Sequence, residues 1–265
     1  MARRLDAELV HRGMARSREA AKELIEAGLV VVPGLLVPKP ASQVRPDAEI
    51  RVSAPQDPYV SRGAHKLIGA LDRWMPRGLV VEGRHALDAG ASTGGFTQVL
   101  LERGAAEVIA VDVGYGVLAW EVRSDPRVHV HERVNIRHAV PGDFPYRADL
   151  IVADLSFISL RTVLPALTAL AGPAADFVLM VKPQFEVGKD DVGEGVVRDP
   201  ALRARAVLDV ANAMQALGLG VRDVVASPLP GPSGNVEYFV WATRGVELRE
   251  DLAACIETAV MEGPA

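Results

Sequence analysis

The feature that most constrains the fold is the regular alternation of short apolar runs with longer helical segments after about residue 80. The apolar runs predict strands at 85–88, 107–112, 128–131, 150–154, 177–182, 221–226 and 236–241. Apolar residues at helical spacing predict helices at 65–74, 95–103, 117–123, 160–170, 200–217 and 247–262. Strands and helices that alternate in this way indicate an α/β domain with a mostly parallel sheet covered by helices.

The first fifty residues follow a more local pattern. Two short helical segments are predicted, and the second is capped by Ser17 and ended by Gly28. The apolar runs 29–32 and 35–37 then flank Pro33-Gly34, a pair that suits the centre of a type II turn, so we expect a small sheet here. The chain therefore divides into a small α+β domain at residues 1–53, a linker at 54–60 and the α/β domain at 61–265.

Composition excludes several classes of protein. With 49% apolar and 24% charged residues, the chain resembles an ordinary globular protein with a large core. The longest stretch without a charge spans only residues 162–175, which is shorter than the ~20 residues needed to cross a bilayer. The single cysteine excludes a disulfide framework, and no secretory signal is visible. We therefore expect a cytoplasmic protein.

Charge is distributed unevenly along the chain. Residues 1–66 contain 11 Lys/Arg against 8 Asp/Glu, whereas the remainder contains 18 against 26. The basic side chains gather near the start of the second predicted helix, where the helix dipole also favours an anion. This pattern indicates either a surface for phosphate backbones or a solvated helical face.

The N-terminal pattern resembles the S4 RNA-binding module over about 50 residues. It departs from that family at Pro33, where Asn or Asp usually precedes the glycine. The resemblance implies RNA binding through the basic face of Arg4, Arg16, Arg18 and Lys22. The matching positions are Arg4-Leu5-Asp6, Leu9, Gly13, Ser17-Arg18, Ala21, Leu24-Ile25, Gly28, Val30, Gly34, Val37, Lys39-Pro40 and Ile50 to Val52.

A glycine-rich turn follows the first predicted strand of the second domain. Its spacing is G-x-x-x-G-G, and Asp88 before it would repel a pyrophosphate, so a dinucleotide fits poorly. A ligand with an amino group and a sulfonium fits better because both are cationic. Asp112, 24 residues later, is placed to accept from ribose hydroxyls, unless both acids merely cap turns and the glycines only allow tight packing. The candidate contacts are Asp88, Gly90, Ser92, Gly94, Phe96 and Asp112.

These residues resemble those of seven-stranded S-adenosylmethionine-dependent methyltransferases, in which the last strand runs antiparallel. The resemblance implies that the cofactor is S-adenosylmethionine and that its adenine contacts the loop after the third strand. Asn135 is the candidate in that loop. Tyr115, in Gly114-Tyr115-Gly116, either covers the cofactor or packs on the rim of the sheet.

Four charged residues are predicted at helix or strand ends on the same rim: Lys66, Asp154, Lys182 and Glu237. A ribose hydroxyl is a poor nucleophile, so its attack on a sulfonium methyl needs a base. A lysine serves only when its pKa lies well below ~10.4, which burial and a second cation favour. The set resembles the tetrad of FtsJ-type ribose 2′-O-methyltransferases, which implies that Lys182 is the base, with Asp154 orienting it, Lys66 as the second cation and Glu237 positioning Lys66 or the hydroxyl.

The chain from residue 3 to 262 is similar to the TlyA family, whose members are described as rRNA 2′-O-methyltransferases and as haemolysins. The resemblance implies transfer to a cytidine ribose of ribosomal RNA, free or in ribosomal subunits, with the loops 184–199 and 228–235 bordering the RNA. No membrane, metal or obligate protein partner is expected. A non-catalytic ribosome-binding factor and a membrane-lysing protein remain as alternatives. The motifs are Ser61 to Lys66, Asp112 to Gly116, Lys182 to Lys189 and Pro230 to Phe239.

Overall fold

A computed structural model describes residues 2–53, 57–188, 191–247 and 249–263. The chain forms two compact units, Met1–Val60 and Ser61–Ala265. Several sequence predictions include residues outside these ranges: the domains at 1–53 and 61–265, the linker at 54–60, the motif at 182–189, the loop at 184–199 and the start of the helix predicted at 247–262.

The N-terminal unit combines two helices with two short antiparallel ladders. Helix α1 (Leu5–His11) precedes α2 (Arg18–Glu26), and the Ser17 hydroxyl accepts a hydrogen bond from the Ala20 amide at 3.1 Å, which confirms the predicted cap. Strand β1 (Arg3–Arg4) pairs with β3 (Gln43–Val44), and β2 (Val30–Val31) pairs with β4 (Arg51–Val52). The unit has its own core, formed by Leu5, Leu9, Ala15, Ala21, Ile25, Val30, Val32, Val44 and Ile50.

The predicted turn at Pro33-Gly34 is present, but the apolar run after it is not a strand. Gly34 has a φ of +91°, and the Leu35 amide donates to the Val32 carbonyl at 3.0 Å, as a type II turn requires. Beyond the turn, Leu36 and Val37 are exposed, and β2 takes its partner from residues 51–52 instead. Without a buried face, this run gains nothing from extended pairing, so the expectation of a strand at 35–37 was wrong.

The C-terminal unit contains seven strands: β5 (His85–Ala89), β6 (Glu107–Asp112), β7 (Val128–Glu132), β8 (Ala148–Ala153), β9 (Ala171–Val181), β10 (Leu219–Ala226) and β11 (Tyr238–Arg244). They form one sheet in the order β10-β11-β9-β8-β5-β6-β7. Strand β11 runs antiparallel to β9 and β10, and the remaining pairs are parallel, which confirms the fold class expected from the sequence.

Helices connect these strands and cover the sheet. Most lie within a few residues of the predicted ranges, but the segment predicted at 117–123 is helical only from Trp120. No described helix is long and apolar enough to cross a bilayer. The helices are α3 (Gly63–Trp74), α4 (Gly95–Glu102), α5 (Trp120–Arg123), α6 (Leu160–Leu170), α7 (Pro183–Glu186), α8 (Pro200–Ala216) and α9 (Leu252–Glu262).

The strand directions place the polar candidates at one rim. Parallel strands β5, β6, β8 and β9 end on the same edge of the sheet, so the residues at or just after their carboxyl ends meet there. Strand β11 runs the other way and therefore begins at this edge. The rim thus gathers residues that are far apart in the chain.

Candidate active site

The turn between β5 and α4 is built for close backbone approach. Gly90 has a φ of +88°, and a Cβ atom on it would lie 2.5 Å from the Asp154 carbonyl oxygen. Gly94 has a φ of +100°, and its Cβ would press on Leu118 and Val122. Both positions therefore need glycine, one for its approach to the neighbouring strand and one for packing against α5.

Asp112, at the end of β6, organises the turns around it. Its Oδ2 accepts from the Ser92 amide at 2.7 Å, and its Oδ1 accepts from the Gly114 amide at 2.7 Å. Each carboxylate oxygen keeps a further lone pair, so Asp112 can still accept from a ligand hydroxyl. Ser92 itself has a φ of +49°, a conformation that is uncommon outside glycine.

A cavity of about 440 Å³ opens beside these residues, within the range usual for small-molecule sites. Asn135 lies on its wall, and the Asn135 Oδ1 accepts from the Arg137 amide at 3.1 Å, which fixes the side chain. The lining residues are Gly90, Ser92, Val111, Asp112, Val113, Val134, Asn135, Ile136, Asp154, Leu155, Ser156, Phe157 and Ile158.

Asp88 is fully buried beneath the turn and does not line the cavity. Its Oδ2 accepts from the Thr97 hydroxyl at 2.7 Å, while its Oδ1 has no hydrogen-bond partner within the described parts of the chain. Burial, assisted by the charges of Asp154 and Asp112, raises the pKa of Asp88 to about 7. Asp88 Oδ1 is therefore a buried acceptor below the glycine-rich turn that can still take a hydrogen bond.

Besides Asp88, three more predicted cofactor contacts do not line the cavity. Phe96 is buried and packs on Phe239 with ring centroids 6.0 Å apart, so it belongs to the core. Gly94 faces α5 rather than the cavity. Tyr115 is largely exposed, and the Arg133 guanidinium lies 4.1 Å above its ring, which corresponds to the predicted alternative of a rim aromatic.

The four charged candidates form two ion pairs. Lys66 Nζ donates to Glu237 Oε2 at 2.6 Å, and both side chains are buried. Lys182 Nζ lies 2.6 Å from Asp154 Oδ1, and this pair is more open because 23% of the Asp154 side chain is exposed. The second cation that the sequence suggested for Lys182 is therefore itself paired with a carboxylate.

Register brings the two pairs to neighbouring strands. Tyr238 pairs with Val181 in the antiparallel β11–β9 ladder. Glu237 comes directly before Tyr238 and Lys182 directly after Val181, so both lie just beyond the same end of this ladder. The loop before β11 lies against Glu237, because a Cβ on Gly231 would be 2.7 Å from Glu237 Oε1. The buried Asn235 holds this loop to the 195–197 segment by donating to the Gly195 carbonyl and accepting from the Val197 amide.

Ser156 and Glu186 were not identified from the sequence. The Ser156 hydroxyl accepts from Lys182 Nζ at 2.9 Å. Glu186, four residues after Lys182, accepts from the Ser159 hydroxyl and the Leu160 amide, each at 2.6 Å, and burial raises its pKa. We call these contacts the β8–β9 clasp, since they join the connection after β8 to the one after β9.

The basic residues of the N-terminal unit are tied to acids. Arg4 donates to both carboxylate oxygens of the buried Asp6, and Arg18 donates to Asp6 Oδ2 at 3.0 Å. These bonds hold the pKa of Asp6 well below its usual range. Arg16 lies 3.5 Å from Asp57, and Lys22 lies 3.9 Å from Glu26. The predicted face is therefore a set of oriented, partly neutralised cations.

Comparisons with known proteins cover both units. The family model for FtsJ-like methyltransferases matches residues 59–244, and that for S4 domains matches residues 3–50. The chain is 56% identical to the 16S/23S rRNA (cytidine-2′-O)-methyltransferase TlyA of Mycobacterium tuberculosis over 98% of both chains. It is 35% identical to Hemolysin A of Brachyspira hyodysenteriae over 89% of this chain and 98% of that protein.

A solved structure from Streptococcus thermophilus that carries a hemolysin name has the same architecture. It superposes with a TM-score of 0.80 at 36% identity and covers 98% of this chain and 95% of its own. A second such structure, from Lactococcus lactis, covers 77% of this chain and 97% of its own with a TM-score of 0.72 at 40% identity.

Proposed function

Because the chain belongs to the FtsJ-like methyltransferases, in the TlyA group that adds an S4 domain, we propose that it methylates the 2′-hydroxyl of a cytidine in ribosomal RNA. The observation that carries this proposal is the pairing of Lys182 with Asp154 at the wall of a cavity of about 440 Å³. A base for a ribose hydroxyl then lies beside a site large enough for a nucleoside cofactor.

The residues at the cavity fit S-adenosylmethionine. Gly90 lines the cavity and lets the turn lie directly against the Asp154 carbonyl, so the backbone there is open to a ligand. Asp112 has lone pairs left for ribose hydroxyls, and Asn135 offers an amide for the adenine. When bound, this cofactor supplies a methyl group on a positively charged sulfur.

Lys182 is assigned as the base. In its neutral form, Lys182 Nζ accepts the proton of the 2′-hydroxyl as the oxygen attacks the methyl carbon. Asp154 holds Nζ in place and stabilises the ammonium that forms. Lys66 and Glu237 form a second, buried ion pair, and Glu237 immediately precedes the strand next to the one that Lys182 follows.

The S4 domain supplies RNA affinity in this proposal. Arg4, Arg16, Arg18 and Lys22 meet phosphates, and the shared Asp6 keeps Arg4 and Arg18 in a defined orientation. A non-catalytic ribosome-binding factor is not favoured, because such a protein has no need of a lysine–carboxylate pair at the cavity wall. The hemolysin names of some relatives say nothing about a membrane-lysing surface on this chain.

The decisive test is incubation with radiolabelled S-adenosylmethionine and separately purified ribosomal subunits, followed by mapping of the label. We expect the label on the 2′-oxygen of a cytidine. Lys182→Ala is the matched control and should remove the label while S-adenosylmethionine still binds. Label on a base nitrogen or carbon, or no label on either subunit, would refute the proposal.

A further inference from the structure

We propose that Ser156 is a positioning residue whose hydroxyl fixes the direction of the Lys182 lone pair. This inference rests on the proposed function, since it concerns the base of that reaction. It starts from one observation: Lys182 Nζ donates a hydrogen bond to Ser156 Oγ at 2.9 Å, whereas its 2.6 Å contact with Asp154 Oδ1 is an ion pair without hydrogen-bond geometry. Asp154 and Ser156 both lie on the cavity wall.

The stereochemistry of an amine explains how the contacts of Lys182 Nζ orient its lone pair. A protonated lysine carries three N–H groups, and a neutral one carries two N–H groups and one lone pair. The ion pair with Asp154 sets the position of Nζ, and the hydrogen bond to Ser156 directs one N–H group, so together they restrict where the lone pair points. With Asp154 alone, Nζ would be held close but without a fixed orientation, and the lone pair would sample several directions.

The β8–β9 clasp keeps Ser156 at the right distance. Upstream, the Asp154 amide donates to the Ala89 carbonyl at 3.1 Å, which ties the connection to β5. Downstream, Glu186 binds the Ser159 hydroxyl and the Leu160 amide. Lys182 and Glu186 are four residues apart, so the segment that carries the base also anchors the segment that carries Ser156.

Backbone conformation supports this role for Ser156. Phe157, directly after Ser156, has a φ of +64° although it is a bulky residue, and its side chain is 91% exposed. Such a conformation is costly and persists only where surrounding contacts hold it. Here the strained residue lies between Ser156, which bonds Lys182, and Ser159, which bonds Glu186.

The reaction balances with the residues named. The 2′-oxygen forms a bond to the methyl carbon, the bond from carbon to sulfur breaks, and its electron pair goes to sulfur. The hydroxyl proton goes to the Lys182 lone pair, and the resulting third N–H lies where the lone pair was. Asp154 and Ser156 keep their contacts with Nζ throughout, so no side chain needs to reorient during transfer.

Ser156→Ala and Ser156→Thr test the proposal in the full-length protein with purified ribosomal subunits. Ser156→Ala should lower kcat about 10- to 100-fold, the scale of a misdirected reacting group, while KM for the subunit changes less than about twofold. Ser156→Thr, which keeps the hydroxyl, should recover most of kcat. Thr258→Ala, which removes a hydroxyl bonded within α9, serves as the matched control and should keep wild-type kcat.

Two results would overturn the inference. One is an unchanged kcat in Ser156→Ala. The other is an equal loss in Ser156→Ala and Ser156→Thr, which would mean that the hydroxyl is not what matters. Calorimetric binding of S-adenosylmethionine to each variant shows that the fold is intact. Failure of the wild-type protein to label a ribose would instead count against the proposed function, so the two outcomes are distinguishable.

Discussion

Lys66 and Glu237 are 171 residues apart in the chain, yet their side chains form a 2.6 Å ion pair that is almost closed to solvent. Lys66 lies on α3 and Glu237 immediately precedes β11, so the pair joins a helix to the sheet. Since a buried charge is costly once its partner is removed, the pair links the charge pattern at the rim to the stability of the C-terminal unit.

A double-mutant cycle should reveal this coupling. Lys66→Met and Glu237→Gln should each lower the free energy of unfolding by about 2–4 kcal/mol, because each leaves a buried group unpaired. The double variant should lose less than the sum of the two. Tryptophan fluorescence during urea unfolding is a suitable measurement, since Trp74, Trp120 and Trp241 all lie in the C-terminal unit. Strictly additive losses would contradict the coupling.

Removing the base should abolish catalysis without unfolding the protein. Lys182→Ala and Asp154→Ala should each reduce methyl transfer at least ~10²-fold, the usual scale for an acid–base group. Asp154 has 23% of its side chain exposed and can be solvated once Lys182 is removed, so the fold should survive Lys182→Ala. Single-turnover assays with ribosomal subunits measure the effect. Wild-type rates in a well-folded Lys182→Ala protein would exclude this residue as the base.

Asp88 should make the unfolding free energy depend on pH. Its pKa is raised from 3.8 to about 7 in the folded protein, so the folded state binds the proton more tightly than the unfolded chain does. The stabilisation is complete below about pH 4 and is lost as the pH rises to about 7. Asp88→Asn, which mimics the protonated acid, should therefore be about 2–4 kcal/mol more stable than wild type at pH 8. Urea unfolding of both proteins at pH 5 and pH 8 checks this, and equal differences at the two pH values would contradict it.

Asp112 should matter for the cofactor in two ways. Asp112→Ala should weaken S-adenosylmethionine binding by about 1.5–3 kcal/mol, the range for hydrogen bonds to a charged group. It also removes the acceptor for the Ser92 and Gly114 amides. Asp112→Asn keeps only one acceptor oxygen and should show an intermediate loss. Calorimetry measures both, and unchanged affinity in the alanine variant would show that another group holds the ribose.

The basic face of the S4 domain should control how salt affects RNA binding. Arg18→Ala with Lys22→Ala should weaken rRNA binding and make its log–log salt dependence shallower by about 0.7–0.9 for each phosphate that is no longer neutralised. Arg45→Ala with Arg51→Ala removes two cations of the same unit that are more exposed than Arg18 and Lys22, and it is the matched control. Filter retention from about 50 to 300 mM salt distinguishes the pairs. Superimposable curves for wild type and the Arg18/Lys22 variant would return these residues to a structural role.

The sequence predicted what depends on local pattern. The helix at Leu160–Leu170 and the cap at Ser17 were found because apolar spacing and capping chemistry lie within a few residues of each other. The strand expected at 35–37 failed because an apolar run does not say whether a partner strand will cover it. Whether residues 35–37 are exposed depends on how the rest of the N-terminal unit folds around them, which their own sequence does not show.

The same distinction applies to the site residues: those next to strand ends could be located from the sequence, and those that depend on tertiary packing could not. Asp112 and Asn135 follow strand ends and could be placed at the rim, whereas Phe96 follows the glycine-rich turn and is used here for packing. The pairing of Arg4 and Arg18 with Asp6 could not be predicted from the sequence either, because counting charges does not show which basic groups share one carboxylate. The contact between Ser156 and Lys182 depends on how two loops meet, and that meeting has no sequence signature.

The close approach of Gly90 to the Asp154 backbone has a consequence for how this rim can change. With no side chain between them, the turn beside the cavity and the strand end that carries the carboxylate are in direct main-chain contact. A shift of either by more than a few tenths of an ångström must displace the other. The shape of the cavity at this turn and the position of Asp154 are therefore coupled. A redesign that widens the cavity here would also move the carboxylate that pairs with Lys182.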